Sequence, residues 1–401
     1  MMERFISRCA LPSDGLAVFR RGLGLLCMLD ALLRLPYHTF WLTDLGVLPR
    51  SLYFRLYEDS LVWSLYLISG RPEFSLSLLL LTVVLGGLQL AGKSSRGIRV
   101  ALWLLVLSVQ HRNPFLMDSA DDLLRLLLFW DMFLPQQQSR GGLQSSLATV
   151  GLQIQLSLSL AGISWACWTG WTQSAVWSLN ERAFWTPWFG AMVAGYLALL
   201  IAAVWLRPIR RSILICGVPV LAWWAVTLHP WMPLVVAVGV SAFWGKGEAE
   251  IEFSSGKRWQ SLGYLTIGLF IILQAVPVIA EAARATAWSA GLQQSWNRVY
   301  PLASTTVVEL TASESGTGNA VWSIGVDSDR RARIWVQEVA EQEALTEWLS
   351  DSLEYRFTGL TAPKISMKQT ELLPDHTLGR IEVRLLTDTP VWSLTRGRLD
   401  L

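Results

Sequence analysis

Long apolar stretches separated by short polar turns constrain this chain more than any other feature. Residues 72–92 carry no charge between Glu73 and Lys93, and about 20 mostly apolar residues are enough for a helix to cross a bilayer. The same pattern, with three shorter cases, occurs at 16–36, 72–92, 97–112, 119–135, 143–167, 186–206, 210–227, 231–244 and 259–283. It predicts a polytopic all-α membrane bundle of about 8–9 transmembrane helices.

The composition points to the same class. The chain has 401 residues, of which 52% are hydrophobic and 16% charged, whereas a soluble domain has roughly 25% charged residues. The net charge of +2 is small and scattered, so nucleic acid is not expected as a partner. The four cysteines show no CxxC spacing, which argues against a zinc site or a disulfide framework, and we expect no metal.

The pattern changes after residue 304 to short stretches with alternating apolar residues, which are typical of strands. These stretches are 306–310, 320–326, 332–336 and 380–386. Between them, residues 341–355 place their apolar side chains on one helical face. We therefore predict a transmembrane domain at 1–283, a linker at 284–303 and a small α+β, β-rich domain at 304–401.

Basic residues gather at four connections, and short loops rich in Lys and Arg usually lie in the cytoplasm. They are Arg4 and Arg8; Lys93, Arg96 and Arg99; Arg207, Arg210 and Arg211; and Lys246, Lys257 and Arg258. Residues 1–15 lack the apolar core of a removable signal peptide. An odd number of spans then predicts a multi-pass integral membrane protein whose C-terminal domain is exoplasmic, in a periplasm or a lumen.

Charged residues inside the first apolar stretch mark a paired or functional site, because such residues are costly in a membrane. Asp30 and Arg34 are four residues apart, so they share a helix face and can form an ion pair. Arg20 and Arg21 are expected to reach the cytoplasmic surface. Whether the Asp30–Arg34 pair binds a ligand or only neutralises itself stays open.

The densest polar segment is Gln110-His111-Arg112-Asn113-Pro114, followed by Asp118, Asp121, Asp122 and Arg125. Pro114 ends one helix, and Ser119 can cap the next, with aspartates in its first turn. Capping does not account for His111, Arg112 and Asn113, which offer a possible proton carrier and several hydrogen-bond donors. Both a functional pocket and a packing role are therefore retained.

Tryptophans and histidines are also concentrated on the predicted exoplasmic side. Trp165 and Trp171 belong to a tryptophan-rich run, and His38 follows the first stretch. Tryptophan commonly marks the headgroup interface of a membrane. An aromatic belt and a ligand-lining surface are both compatible with this run.

Several phrases of the chain resemble the horizontally transferred transmembrane (HTTM) domain family, the relatives of vitamin K-dependent gamma-carboxylase. The phrase Gln110 to Pro114, with Asp122-Leu123-Leu124-Arg125 and Phe129 to Pro135 after it, resembles the central signature of the family in order and spacing. Further similar phrases are Arg20 to Gly24 with Asp30 and Arg34, Asp44 to Arg50, Ala161-Gly162-Ile163 with Trp171, and Gln294 to Asn297.

The resemblance implies a membrane-embedded helical domain with a β-rich exoplasmic domain. In the carboxylase, a lysine shortly after the Ala-Gly pair is the base linked to hydroquinone oxidation, which drives carboxylation of protein glutamate. Here that stretch reads Ile163 to Cys167, and no lysine occurs between Lys93 and Lys246. Because this lysine is missing, lysine-based carboxylation is not expected. Cys167 and His111 are the remaining candidates for a base.

The resulting expectation is an HTTM-like membrane protein with an exoplasmic pocket for a quinone, a lipid or another apolar ligand. A reduced quinone is the cofactor implied by the resemblance, and the lipid bilayer and a secreted protein substrate are the implied partners. The alternative is a non-enzymatic scaffolding or binding protein whose polar cluster is structural. Whether the chain is an enzyme stays open. A transporter is disfavoured because no inverted repeat is visible.

Overall fold

The computed structural model describes residues 11–46, 48–57, 63–117, 119–134, 143–173, 186–227 and 231–245, together with five strands between 306 and 395. The chain divides into two compact units, of which one holds most of the helical residues and the other the strands. The α-helices are α1 (Ser13–Arg34), α2 (His38–Leu42), α3 (Arg50–Leu56), α4 (Pro72–Leu90), α5 (Arg96–Arg112), α6 (Ser119–Phe133), α7 (Leu143–Gln173), α8 (Thr186–Trp205), α9 (Arg207–Thr227) and α10 (Trp231–Ser241).

Local chemistry sets the ends of the helices that build the polar core. Pro72 is the first residue of α4, a position that needs no amide hydrogen. Ser95 caps α5, because its Oγ accepts a hydrogen bond of 3.3 Å from the amide of Ile98. The last residue of α5 is Arg112, because Asn113 precedes a proline and takes a non-helical conformation. Short 3-10 turns lie at Leu35–Tyr37, Leu65–Leu67 and Pro114–Leu116.

Five helices form the core of the helical unit. Helix α1 packs along α4, α5 along α6, and α10 against both α1 and α6. Polar contacts fix the directions, since Arg99 near the start of α5 reaches Asp131 near the end of α6. At the opposite end, Gln110 of α5 reaches Asp121 of α6. The helix pair thus carries buried polar groups at both of its ends.

The predicted fold class, a bundle of about 8–9 transmembrane helices followed by a β-rich exoplasmic domain, is wrong. Every regular element of the described residues between 11 and 245 is a helix. Among the residues whose side chains are described, a single helix, Pro72–Leu90, is long and apolar enough to cross a membrane. Shorter apolar stretches with described side chains lie within α8 at Met192–Trp205, within α9 at Ser212–Ala222 and in α10 at Trp231–Ser241.

Several of the predicted spans are too short to cross a bilayer or contain buried charged side chains. Helix α6 has 15 residues, and a helix of that length measures only about 22 Å, less than the roughly 30 Å of a hydrocarbon core. Helices α1, α5 and α6 also bury charged side chains along their length, which interrupts the apolar run. The predicted span 259–283 and the linker 284–303 lie outside the described residues.

The five strands form one antiparallel sheet in the order β2-β1-β3-β4-β5. The strands are β1 (Thr306–Ser313), β2 (Ala320–Ile324), β3 (Lys364–Leu372), β4 (Leu378–Leu385) and β5 (Trp392–Thr395). The central strand β3 pairs Gln369 with Val308 of β1 and with Glu382 of β4. The sequence patterns did not predict β3 or β5. The predicted strand 332–336 and helix 341–355 lie outside the described residues.

Candidate functional site

Two buried polar clusters lie at opposite ends of the α5–α6 pair. The first, the Asp131 cluster, consists of Arg20, Gln89, Arg99 and Asp131. The second, the Asp121 cluster, consists of Asp30, Arg34, Gln110, Asp121, Asp122, Arg125 and Trp231. About ten residues of α6 separate the two aspartates, which corresponds to roughly 15 Å along a helix.

In the Asp131 cluster, three helices converge on one carboxylate near the end of α6. Arg20 of α1 donates through Nε to Asp131 Oδ1 at 2.9 Å, and Gln89 of α4 donates through Nε2 to Asp131 Oδ2 at 3.3 Å. Arg99 Nη1 lies 3.6 Å from Oδ1 and donates to the main-chain oxygens of Asp131 at 2.6 Å and Leu134 at 3.0 Å. All four side chains of the cluster are buried, so bulk water screens the charges of the two arginines and the aspartate only weakly.

In the Asp121 cluster, Asp30 and Arg34 form the predicted ion pair within α1. Arg34 donates through Nε and Nη2 to the two Asp30 oxygens at 2.8 and 3.2 Å, a bidentate geometry. Arg34 Nη2 also lies 4.0 Å from Asp121 Oδ1. The pair therefore connects α1 to the start of α6.

The rest of the Asp121 cluster joins α5, α6 and α10. Gln110 donates through Nε2 to the main-chain oxygen of Asp121 at 2.8 Å and accepts from Arg125 Nη1 at 2.7 Å. Arg125 Nη2 lies 2.9 Å from Asp122 Oδ1. Trp231 donates its indole hydrogen to Asp121 Oδ1 at 3.2 Å. The contacts of Gln110 hold α5 against α6 and the contact of Trp231 holds α10 against α6, whereas the Arg125–Asp122 pair lies within α6.

The helix-end segment, His111 to Asn113, binds the main chain of the connection between α1 and α4, which consists of residues 35–71. His111 Nδ1 lies 3.0 Å from the oxygen of Trp63. Arg112 donates to the oxygens of Leu42 at 3.2 Å and Thr43 at 3.3 Å. Asn113 Nδ2 donates to the oxygen of Trp41 at 3.3 Å. Three consecutive side chains, all fully buried, thus hold this connection by its carbonyl groups.

Tyr53 of α3 supports the helix-end segment from the same connection. Its hydroxyl donates to the main-chain oxygen of His111 at 2.8 Å, and its ring centroid lies 5.9 Å from the Arg112 guanidinium carbon, within the range of a cation–π contact. Burial raises the pKa of the Tyr53 hydroxyl. The hydroxyl therefore stays protonated and keeps its role as a donor.

Asp44 stands beside this segment and pairs with Arg50 at the start of α3. Arg50 donates from its main-chain amide to Asp44 Oδ1 at 3.0 Å and from Nε to Oδ2 at 2.8 Å. Burial raises the pKa of the Asp44 carboxyl, but the hydrogen bonds from Arg50 outweigh it and hold the pKa below its ordinary range. Asp44 is therefore a carboxylate, and its Oδ1 lies 3.9 Å from Arg112 Nη2.

Two polar atoms of the helix-end segment have no hydrogen-bond partner among the described residues: Arg112 Nη1 and Asn113 Oδ1. One is a donor and the other an acceptor. A buried polar group without a partner costs free energy, so such atoms mark places where a ligand or a water molecule can bind.

No known protein family, curated protein or solved structure matches this chain. The resemblance to the HTTM family therefore stays a prediction. The function has to be argued from the clusters and the helix-end segment themselves.

The other predicted site residues are dispersed. His38 is partly buried and its Nδ1 lies 2.7 Å from the oxygen of Leu35, which places it in a local turn. Trp165 of α7 is 69% exposed. Asp118 and the side chains of Cys167 and Trp171 lie outside the described part. Among the described residues, no group of three or more His, Cys, Asp or Glu could hold a metal ion.

Sequence reasoning missed the Asp131 cluster. The charge pattern predicts Arg99 in a cytoplasmic loop and Arg20 at the membrane surface, but both residues are buried against Asp131. The signal that could have found the cluster is Asp131 itself, an acidic residue within an apolar stretch, which calls for a buried basic partner. The spacing of residues gave no indication of which arginine that partner would be.

Proposed function

We propose that this protein is an integral membrane protein similar to the HTTM family, and that it binds an apolar small molecule at the helix-end segment. The ligand class is a reduced quinone or a lipid with an oxygen-bearing head group. The observation that carries the proposal is that two buried atoms of consecutive residues, Arg112 Nη1 and Asn113 Oδ1, have no hydrogen-bond partner among the described residues. A hydroquinone suits such atoms, because its hydroxyl groups both accept and donate hydrogen bonds.

Helix α4 supports a location in the membrane. It is apolar over 19 residues, and only 28% of that stretch is buried within the protein, whereas the core helix of a soluble protein is mostly buried. Leu80, Leu81 and Val84 are exposed on its surface. Lipid chains would cover such a face without cost. It also lies well inside the chain, unlike a signal sequence.

The helix-end segment is rigid enough to present these atoms. The remaining nitrogens of Arg112 donate to Leu42 and Thr43, and the amide nitrogen of Asn113 donates to Trp41. These bonds fix both side chains before a ligand arrives, which reduces the entropy lost on binding. The binding groups would thus be held in place by the connection between α1 and α4.

We further propose that the protein does not perform lysine-based carboxylation. The stretch that would carry the lysine reads Ile163 to Cys167, and no lysine lies between Lys93 and Lys246. The Nδ1 atom of His111, a possible replacement, is engaged with Trp63. The purified protein, given vitamin K hydroquinone, labelled bicarbonate and a glutamate-containing peptide, should incorporate no label; incorporation would overturn this part of the proposal.

Ligand binding is tested with decylubiquinol and decylubiquinone added to the detergent-purified protein. The reduced form should raise the thermal unfolding temperature, and Asn113→Ala should abolish the rise, since the substitution removes the acceptor. Arg50→Gln is the matched control, because Arg50 lies in the same connection and its side chain is 34% exposed. The control should keep the response to decylubiquinol.

A second candidate function is a scaffolding membrane protein in which the helix-end segment is structural. The four hydrogen bonds from His111, Arg112 and Asn113 to main-chain oxygens favour it. This function predicts that Asn113→Ala lowers the unfolding temperature and that neither quinone form nor any co-purified lipid, identified by mass spectrometry, changes it. If the unfolding temperature of the wild-type protein does not change with either quinone form or with a co-purified lipid, the scaffolding function replaces the ligand-binding proposal.

A further inference from the structure

Arg99 presents one unused edge of its guanidinium inside the protein. The side chain is fully buried, and its Nη1 atom contacts Asp131 and the main-chain oxygen of Leu134. Nε and Nη2 have no hydrogen-bond partner among the described residues. These two nitrogens form the fork that binds two oxygens of a phosphate or carboxylate side by side.

Two arginines share the single carboxylate of Asp131. Arg20 and Arg99 face the same carboxylate oxygen, at 2.9 and 3.6 Å, so the described groups of the cluster hold two cations and one anion. Carbonyl groups at the end of α6 accept hydrogen bonds from both arginines and compensate part of this charge. A buried cation is strongly unfavourable unless an anion pairs with it.

The same cluster also contains a buried acceptor, on the side chain of Gln89, without a partner among the described residues. Its amide nitrogen donates to Asp131 Oδ2 at 3.3 Å and to the main-chain oxygen of Arg20 at 3.2 Å. Its Oε1 has no partner in the described part of the chain, and the residue is fully buried. An anion that fits brings two acceptor oxygens and one hydroxyl donor. Hydrogen phosphate and a phosphoglycerol head group both do.

The Arg99 end of the cluster is near an exposed segment of the chain. Arg99 is in the first turn of α5, two residues after the segment 92–97, which is largely exposed. Arg21, Lys93 and Arg96 are exposed at the same end. Their positive field would attract an anion toward the cluster.

We propose that the Asp131 cluster binds a phosphate group through the Nε and Nη2 atoms of Arg99, with Gln89 Oε1 accepting a hydroxyl hydrogen of the ligand. The site is distinct from the helix-end segment and does not depend on the proposed quinone or lipid ligand there. The phosphate belongs either to a phospholipid head group or to a soluble anion.

The two sources are separated by titrating the wild-type protein in detergent. Inorganic phosphate is compared with short-chain phosphatidylglycerol, and sodium chloride at equal ionic strength is the control. A rise in unfolding temperature with either phosphate compound, but not with chloride, is expected. A response to phosphatidylglycerol alone assigns the site to a lipid, and a response to both assigns it to the phosphate group as such.

Arg99→Lys keeps the positive charge and removes the paired nitrogens of the guanidinium. The phosphate compound should then bind about tenfold more weakly, because one charge-assisted hydrogen bond is lost. Arg96→Lys is the matched control on the same helix, because Arg96 is exposed, and it should bind as the wild type does. Equal affinities of the Arg99 variant and the wild type would overturn the proposal. If the Arg99 variant does not fold, the titration of the wild-type protein decides. An unfolding temperature that changes with neither phosphate compound overturns the proposal. Buried water molecules would then accept the hydrogen bonds of Arg99 Nε and Nη2.

Discussion

Gly24 of α1 and Gly86 of α4 bring the backbones of their helices into direct contact. A Cβ atom on Gly24 would lie 2.6 Å from the Gly86 oxygen, and one on Gly86 would lie 2.8 Å from the Gly24 oxygen. Both distances are shorter than side chains tolerate, so only glycine allows this crossing. The crossing is what places Gln89 of α4 beside Arg20 of α1.

Gly86→Ala should destabilise the helical unit by about 1–3 kcal/mol, because the added methyl group forces the two helices apart. Gly87→Ala is the control. A Cβ atom there meets no described atom within 4 Å, and alanine favours the helix by roughly 0.5–1 kcal/mol over glycine. Thermal unfolding in detergent should separate the two variants, and equal stabilities would contradict the close crossing.

Asp131→Asn should cost about 3–5 kcal/mol, since it leaves the guanidinium groups of Arg20 and Arg99 buried without their carboxylate. Asp14→Asn, at an exposed position in the first turn of α1, should cost less than about 1 kcal/mol. The comparison is made by thermal unfolding of both variants. If Asp131→Asn lowers the unfolding temperature no more than Asp14→Asn does, the Asp131 carboxylate does not stabilise the cluster electrostatically.

The pair of Asp44 and Arg50 should make stability depend on acidity. Because the pKa of Asp44 is held below its ordinary range in the folded protein, its contribution is present above the unfolded value of about 3.9 and is lost as the pH falls through the folded pKa. The unfolding temperature of wild type should exceed that of Asp44→Asn at pH 7, and the difference should shrink below about pH 4. If the difference in unfolding temperature between wild type and Asp44→Asn stays constant down to about pH 2, the Asp44–Arg50 pair does not stabilise the protein.

Tyr53→Phe should cost about 1 kcal/mol, because it removes the hydrogen bond to the main-chain oxygen of His111 and leaves that carbonyl buried. The ring that faces Arg112 is retained. Tyr37→Phe, at a residue that is 54% exposed, should be nearly neutral. If both variants unfold at the wild-type temperature, the hydroxyl of Tyr53 does not hold the connection.

Some features of the candidate site could be predicted from the residues alone. The ion pair of Asp30 and Arg34 is local, since a spacing of four residues places both on one helix face, and the structure forms it. The end of α5 before Pro114 is also a local effect, because proline restricts the residue that precedes it. The Asp131 cluster could not be predicted in this way, since its members are up to 111 residues apart.

The sequence by itself determined where the helices of the polar core begin and end, and that charged residues within apolar stretches would need partners. Both follow from interactions between near neighbours in the chain. Only the tertiary structure decided that Arg99 is a buried partner of Asp131 rather than a surface residue, and that His111, Arg112 and Asn113 bind the carbonyl groups of a distant connection. These choices depend on the close crossing of α1 and α4 and on the antiparallel packing of α5 and α6, which bring together groups that no spacing in the sequence relates.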